Sequence, residues 1–293
     1  DLAMYSAKDA GRNQHCHFSL TMQREAQERR DLLRELQAAL EHGEFELYYQ
    51  PIVELATGHI AKAEALLRWH HPRRGMVAPG DFIPLAEDSG LIVPIGDWVF
   101  REAVAQAARW NARYGECQIS INVSPVQFMS DDLNPCEWVA WAAQHGTPGN
   151  AVVVEITERM LMKADGNSRN KLLAFRDAGV HVALDDFGTG YSSLSYLKRF
   201  DIDFLKIDQL FVRNISAESD DLALCQAIIA MAHRLGLKVV AEGVATEEQH
   251  MLLALAGCDY AQGFLYSQAL NARNFEALLE RGLDVEPGLS VTP

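Results

Sequence analysis

The chain is 293 residues long, 48% hydrophobic and 23% charged, with a net charge of −14. That length and composition suit one large α/β domain, or two small ones, around a buried core; the negative charge argues against a surface that coats DNA or RNA, though not against a nucleotide substrate, because bound divalent cations invert local charge. The five cysteines contain no C-x-x-C pair and their number is odd, and no apolar run reaches membrane-spanning length, so the reading is a reduced, cytoplasmic domain with free thiols.

The chain begins at Asp1 rather than Met and reads as a piece of a longer protein, with a sensor or membrane anchor possible upstream. Residues 1–14 read as a short helix ending at Gly11, and 15–19 as a strand stub. Across 20–43, Leu32, Leu33, Leu36, Ala39 and Leu40 recur at helical spacing, which predicts an amphipathic helix stopped by Gly43. The main boundary therefore falls within 19–30. Residues 1–19 read as the remnant of another domain, 20–30 as a linker and helix start, 31–285 as the main domain and 286–293 as a frayed tail.

From residue 46 onward eight short apolar runs alternate with amphipathic helical stretches such as 98–113 and 221–235. The runs are 46–53, 60–67, 118–124, 151–156, 180–185, 203–207, 238–243 and 259–263. Alternation of this kind predicts a largely parallel sheet, and eight strands over this length predict a closed (β/α)8 barrel. Only residues 54–59 separate the first two runs, too few for a parallel crossover, so these two strands are expected to form a hairpin and the barrel to be partly antiparallel.

Each run from the second onward carries a misfit polar residue late in its length: Glu64, Asn122, Glu155, Asp185 with Asp186, Lys206, Glu242 and Gln262. One acid near a strand end is ordinarily where the chain meets solvent. Seven successive strands ending this way place five carboxylates on one rim of a closed barrel, where unpaired they repel. Oxygen donors without Cys or His suit hard ions such as Mg²⁺ or Mn²⁺. Adjacent acids such as Asp185 and Asp186 can serve two such ions, an arrangement suited to in-line phosphoryl displacement. Lys206 has three readings: it hydrogen-bonds the attacking water, it acts as a base, or it forms a structural ion pair with Asp185, Asp186 or Asp208. The loop 186–195, with Gly188 and Gly190, reads as a mobile lid or a phosphate cradle.

Taken together these residues resemble the EAL-domain family of bacterial cyclic-di-GMP phosphodiesterases. The matching segments run in order through Tyr49-Gln50-Pro51-Ile52, Glu64-Ala65-Leu66-Leu67-Arg68-Trp69, Pro79 to Pro84 with Ala86-Glu87, Asn122-Val123-Ser124, Glu155-Ile156-Thr157-Glu158, Asp185-Asp186-Phe187-Gly188, Leu205-Lys206-Ile207-Asp208, Ala241-Glu242-Gly243-Val244 and Gln262-Gly263. They cover about residues 30 to 285. The resemblance implies a TIM-like barrel with an antiparallel first strand, and hydrolysis of one phosphodiester bond of cyclic-di-GMP to give linear pGpG with two Mg²⁺ or Mn²⁺ ions. It implies Glu64, Asn122, Glu155 and Asp185 as ligands of one ion, and Asp185 and Asp186 as ligands of the second with Glu242 close by. It implies Lys206 as the residue that positions or deprotonates water and Arg68 as a phosphate contact. Leu66 and Gln50 are implied as pocket residues, Gln262 as a group near the metals and Lys206, and Glu158 as the anchor of the loop after Asp186. A homodimer is a tendency of the family.

One departure stands out, Ala245, where the family commonly has a second Glu. Residues 1–13, from Asp1-Leu2-Ala3-Met4-Tyr5 to Gly11-Arg12-Asn13, resemble the last helix of a GGDEF domain, which implies such a domain upstream. The competing readings are a cyclic-di-GMP receptor module that does not cleave its ligand, and an unrelated Mg²⁺-dependent barrel enzyme acting on a carboxylate. His70 and His71, before Pro72, read as loop residues. Trp98, Trp110, Trp138 and Trp141 read as helix-borne core.

Overall fold

The structure is a computed structural model, and it describes residues 20–162, 166–188 and 200–283. The expectations for 1–19, for the tail beyond 285 and for the loop from 189 to 195 lie outside the described residues.

The chain divides into two compact units: Asp1–Glu46 with Arg68–Ile92, and Leu47–Leu67 with Val93–Pro293. In the first, the helix Leu20–Ala39 packs its Leu36 and Ala39 inward, and a second helix, Pro79–Ser89, contributes buried Phe82 and Leu85. Trp69 is fully buried there; its ring meets Phe82 at 5.6 Å and its Nε1 donates to Glu44 Oε2 at 2.9 Å. His70 and His71 are not loop residues. They end a strand, paired with Met76 and Gly75, and His71 Nδ1 accepts from the backbone N–H groups of Arg73 and Arg74 while Nε2 stands 3.3 Å from Glu35. The proline directly after His71 suggested a break, but the turn is made after the strand, with the imidazole satisfying it.

The strands are β1 (Phe45–Glu54), β2 (Ile60–His71), β3 (Gly75–Val77), β4 (Gln118–Asn122), β5 (Val152–Thr157), β6 (His181–Phe187), β7 (Phe204–Ile207), β8 (Lys238–Ala241), β9 (Tyr260–Gln262) and β10 (Leu270–Asn271). Eight of them close a ring within the second unit, in the order β1-β9-β8-β7-β6-β5-β4-β2, with β1 pairing back onto β2. Every neighbour from β2 round to β9 is parallel, and β1 is antiparallel to β9. The expected hairpin is present: Glu54 N donates to His59 O at 2.9 Å and the turn passes through Gly58 at φ 72°. All eight predicted runs are strands. The two short pairings β3 and β10 were not expected, since runs of two or three residues carry no periodicity to read.

Val153, Ala183 and Phe204 form a buried cluster with Tyr260 packed against it. Cys117, Cys225 and Cys258 are free and buried, and burial pushes the Cys117 thiol up to about 12. Among the described residues no helix is long and apolar enough to cross a membrane.

Lys62 is an oddity of this core. It lies on β2 two residues before Glu64, on the same face of the strand, and is 3% exposed. Its Nζ stands 3.0 Å from the Phe204 ring centroid and 4.5 Å from that of Tyr260, with no hydrogen-bond partner among the described residues. Burial pushes its pKa down to about 7, although the Glu155 charge works the other way. Cation–π attraction of about 2 kcal/mol does not offset burial of an unbonded amine. Lys62→Met is therefore expected to raise stability by about 1–2 kcal/mol, because methionine fills the same space and packs well on aromatic rings. Urea unfolding checks this, and a lower midpoint for the variant contradicts it.

Candidate active site

In a parallel strand alternate side chains face inward, and residues on alternate strands meet in one layer of the barrel. Glu64 on β2, Glu155 on β5, Lys206 on β7 and Gln262 on β9 are all buried. Glu242 follows the last residue of β8, its N–H donating to Ile207 O at 3.0 Å, and so joins the same end of the barrel.

The centre of the site is the Lys206 ammonium. Its Nζ lies 2.5 Å from Glu155 Oε2, 2.7 Å from Glu242 Oε1, 3.5 Å from Asp185 Oδ1 and 3.6 Å from Glu64 Oε2. Glu64 is the most heavily tied: Gln262 Nε2 donates to its Oε2 and Asn122 Nδ2 to its Oε1, each at 2.6 Å. Gln262 Nε2 also donates to Gln50 Oε1 at 3.0 Å, and Gln50 Nε2 in turn donates to Ser267 O.

One ammonium faces four carboxylates here, and the imbalance shows in their titration. Burial alone would raise Glu64, but the Lys206 charge and the two amide donors hold it below the usual carboxylate range. Glu155 has no such amides. Burial, with the Glu64 and Asp185 charges, pushes it up to about 8 against the pull of Lys206. Burial likewise takes Glu242 to about 7, and the four acids together hold Lys206 well above an ordinary lysine although burial opposes this.

Asp185 and Asp186 part company. A register shift between Leu184 and Phe187 bulges β6 against β7, and Asp186 takes φ 55°, the one left-handed non-glycine backbone among the described residues. The turn brings Asp186 N onto Asp185 Oδ1 at 2.9 Å. Asp185 faces the site cavity, whereas Asp186 lines a neighbouring cavity with Thr157, Glu158 and Arg159. Burial, the Asp185 charge and a hydrogen bond to Asp208 push Asp186 up to about 6. Glu158 is buried, and its Oε2 accepts from Gly188 N at 3.3 Å.

The site cavity, about 470 Å³, is bounded by Gln50, Glu64, Leu66, Asp185, Glu242, Gln262 and, at its mouth, Gln209, Ala245 and Phe264. A larger cavity of about 840 Å³ lies in the first unit, but its Arg73, Arg74 and His71 are already spent on Glu35, so size does not mark the site. Arg68 belongs to the first unit. The structure thus brings together Glu64, Asn122, Glu155, Asp185, Lys206, Glu242, Gln262 and Gln50. Asp208, Gln209 and Phe264 were missed as site residues. Asp208 lies two residues beyond Lys206, the spacing of one strand face, and that signal was available.

Fold and site define a closed α/β barrel whose strand ends gather buried acids around a single lysine. The EAL-domain family model matches residues 33–269, and the chain belongs to that family. It is 42% identical over 278 residues to the bifunctional diguanylate cyclase/cyclic di-GMP phosphodiesterase MucR of Pseudomonas aeruginosa, a match covering 94% of this chain and 40% of that protein. It is 38% identical over 283 residues to the cyclic di-GMP phosphodiesterase PdeR of Escherichia coli, covering 97% and 42% respectively. Among solved structures, the PaMucR phosphodiesterase in complex with c-di-GMP aligns with a TM-score of 0.78 and 41% identity over 84% of this chain and 99% of that one. The chain spans about two fifths of the length of the curated relatives it matches.

Proposed function

We propose that this domain hydrolyses cyclic-di-GMP to linear pGpG. The observation that carries the reading is the convergence of Glu64, Glu155, Asp185 and Glu242 on Lys206 at the strand ends of a barrel from the EAL-domain family. A module that only holds its ligand has no need for so many buried acids, whose mutual repulsion costs stability.

The donor set fits divalent cations. The acids and the Asn122 amide are hard oxygen donors, and the negative charge exceeds what one ammonium neutralises, as the raised Glu155 and Glu242 show. Among the described residues no three acids close on a single point as a ready-made ion cage; they close on Lys206 Nζ instead. Glu64, Asn122, Glu155 and Asp185 would hold one Mg²⁺ or Mn²⁺, and Asp185 and Asp186 a second with Glu242 near it. Bound there, the cations supply charge neutralisation at the phosphoryl group.

The chain's own residues do the rest. Lys206, held protonated by its acids, donates a hydrogen bond that orients the attacking water, which favours the positioning role over that of a base. Glu242 touches Lys206 and opens on the cavity, and it takes the water's proton. The water oxygen bonds to phosphorus as the bond between phosphorus and the 3′-oxygen breaks, the departing oxygen takes a proton from solvent to become the 3′-hydroxyl, and pGpG results. Gln262 and Asn122 fix the Glu64 carboxylate, Gln50 and Leu66 line the substrate cavity, Arg68 contacts phosphate and Glu158 anchors the loop after Gly188. The same reading puts the domain in the cytoplasm, as a homodimer, behind an upstream GGDEF domain of which residues 1–19 are the C-terminal remnant.

The test is a product assay with the purified chain. With Mg²⁺ or Mn²⁺, cyclic-di-GMP is expected to disappear as pGpG forms, and a chelator is expected to stop the reaction. Tight binding without turnover in either metal would establish the receptor reading instead.

A further inference from the structure

Phe264 is 72% exposed, the most exposed large apolar side chain among the described residues, and it stands at the mouth of the site cavity. An aromatic ring left in water beside a polar, acid-lined cavity calls for an explanation that core packing does not give. Its backbone is held firmly. Val244 N donates to Gln262 O at 3.0 Å, Leu265 N to Val244 O at 3.1 Å and Tyr266 N to Gly263 O at 3.2 Å. Gly263 lacks a Cβ at the one place where a Cβ would collide with the Val244 carbonyl, so the segment lies flat against its neighbour. Gln262, two residues before the ring, is pinned to Glu64 at 2.6 Å. Phe264 is therefore displayed at a fixed position relative to the acids.

We propose that Phe264 is a binding residue on which one purine base of the substrate stacks, presenting the attached phosphodiester to Glu64, Glu242 and Lys206. The inference rests on the reading of the domain as acting on cyclic-di-GMP. Aromatic faces stack on any base, and the polar Gln209 lines the same cavity. The lining of the same cavity includes the apolar Leu66.

The test combines kinetics and calorimetry on the full chain with Mg²⁺ and cyclic-di-GMP. Phe264→Ala is expected to raise KM about tenfold, the size of one base–aromatic stack, with kcat within about threefold of the parent. Phe264→Trp and Phe264→Tyr are expected to restore KM, and Phe264→Leu, apolar but without a π face, is not. A KM within twofold of the parent for Phe264→Ala, or full rescue by leucine, overturns the proposal. Calorimetric titration with cyclic-di-GMP keeps the two readings apart. If the parent binds without turnover, and Phe264→Ala weakens that binding about tenfold, the stacking stands and the hydrolase reading fails. If the parent turns over and the variant is unaffected, the reverse holds. A parent that neither binds nor cleaves overturns both.

Discussion

Glu64→Ala is expected to lower turnover of cyclic-di-GMP by on the order of 10³-fold. Removing a hydrogen-bond partner of a metal ligand costs about 10–100-fold, and Glu64 is placed as a ligand itself. The structure adds a second reason. Glu64 is held below its ordinary range by Lys206 and by the amides of Gln262 and Asn122, whereas Glu155 and Glu242 are pushed above theirs. It is thus more securely ionised without help from a cation than Glu155 or Glu242. Truncation removes that fixed charge and leaves Asn122 Nδ2 and Gln262 Nε2 without their acceptor. Glu64→Gln is expected to fare little better, since a neutral amide keeps the shape and loses the charge. Initial rates of pGpG formation check this, with circular dichroism to show that the fold persists. A rate for Glu64→Ala within tenfold of the parent contradicts the assignment.

Lys206→Met is expected to act on stability as well as on rate. Removing one partner of a buried charged group typically costs about 3–5 kcal/mol, because the others remain buried and unpaired. Here Glu155 and Glu242 lose their nearest cation, at 2.5 and 2.7 Å. Both acids already lie above the ordinary value of 4.5, at about 8 and about 7, so the folded state binds more protons than the unfolded chain between those limits. The sign follows: their contribution to stability is fully present below about pH 4.5 and is lost as pH rises through about 7 to 8. Without metal, the variant is expected to be least stable at the alkaline end of that window. Added Mg²⁺ is expected to recover part of the loss, by about 2.7 kcal/mol at a hundredfold excess over its dissociation constant. Urea unfolding at pH 5 and pH 8, with and without Mg²⁺, measures all of this. Turnover is expected to fall by about 10²–10³-fold, the size of one lost hydrogen-bond donor at the reacting centre. Equal stability of variant and parent at pH 8 without metal contradicts the role of Lys206 as the counter-charge of the site.

Much of this arrangement was legible in the sequence because it rests on alternation. Glu64, Glu155, Lys206 and Gln262 interrupt apolar runs, and closing the barrel brings such interruptions onto one layer. The hairpin of β1 and β2 was readable from the short stretch 54–59. What escaped was whatever depends on local backbone geometry. The bulge at Asp185 and the left-handed Asp186 send two adjacent acids to different cavities, and nothing in Asp-Asp announces it. The acids were expected to gather around cations. That Lys206 sits in their midst, closest to Glu155 and Glu242 rather than to Asp186 or Asp208, depends on side-chain reach across the barrel. Phe264 carries no ionisable group, so only its exposure in the folded chain singles it out.

The most direct test of the central claim is hydrolysis of cyclic-di-GMP in ¹⁸O-labelled water with Mg²⁺, read by mass spectrometry. Attack of a Lys206-oriented water on phosphorus predicts pGpG carrying a single ¹⁸O on its terminal phosphate, formed by the parent chain and not by Glu64→Ala. Recovery of intact cyclic-di-GMP, or of pGpG without the label, would contradict it.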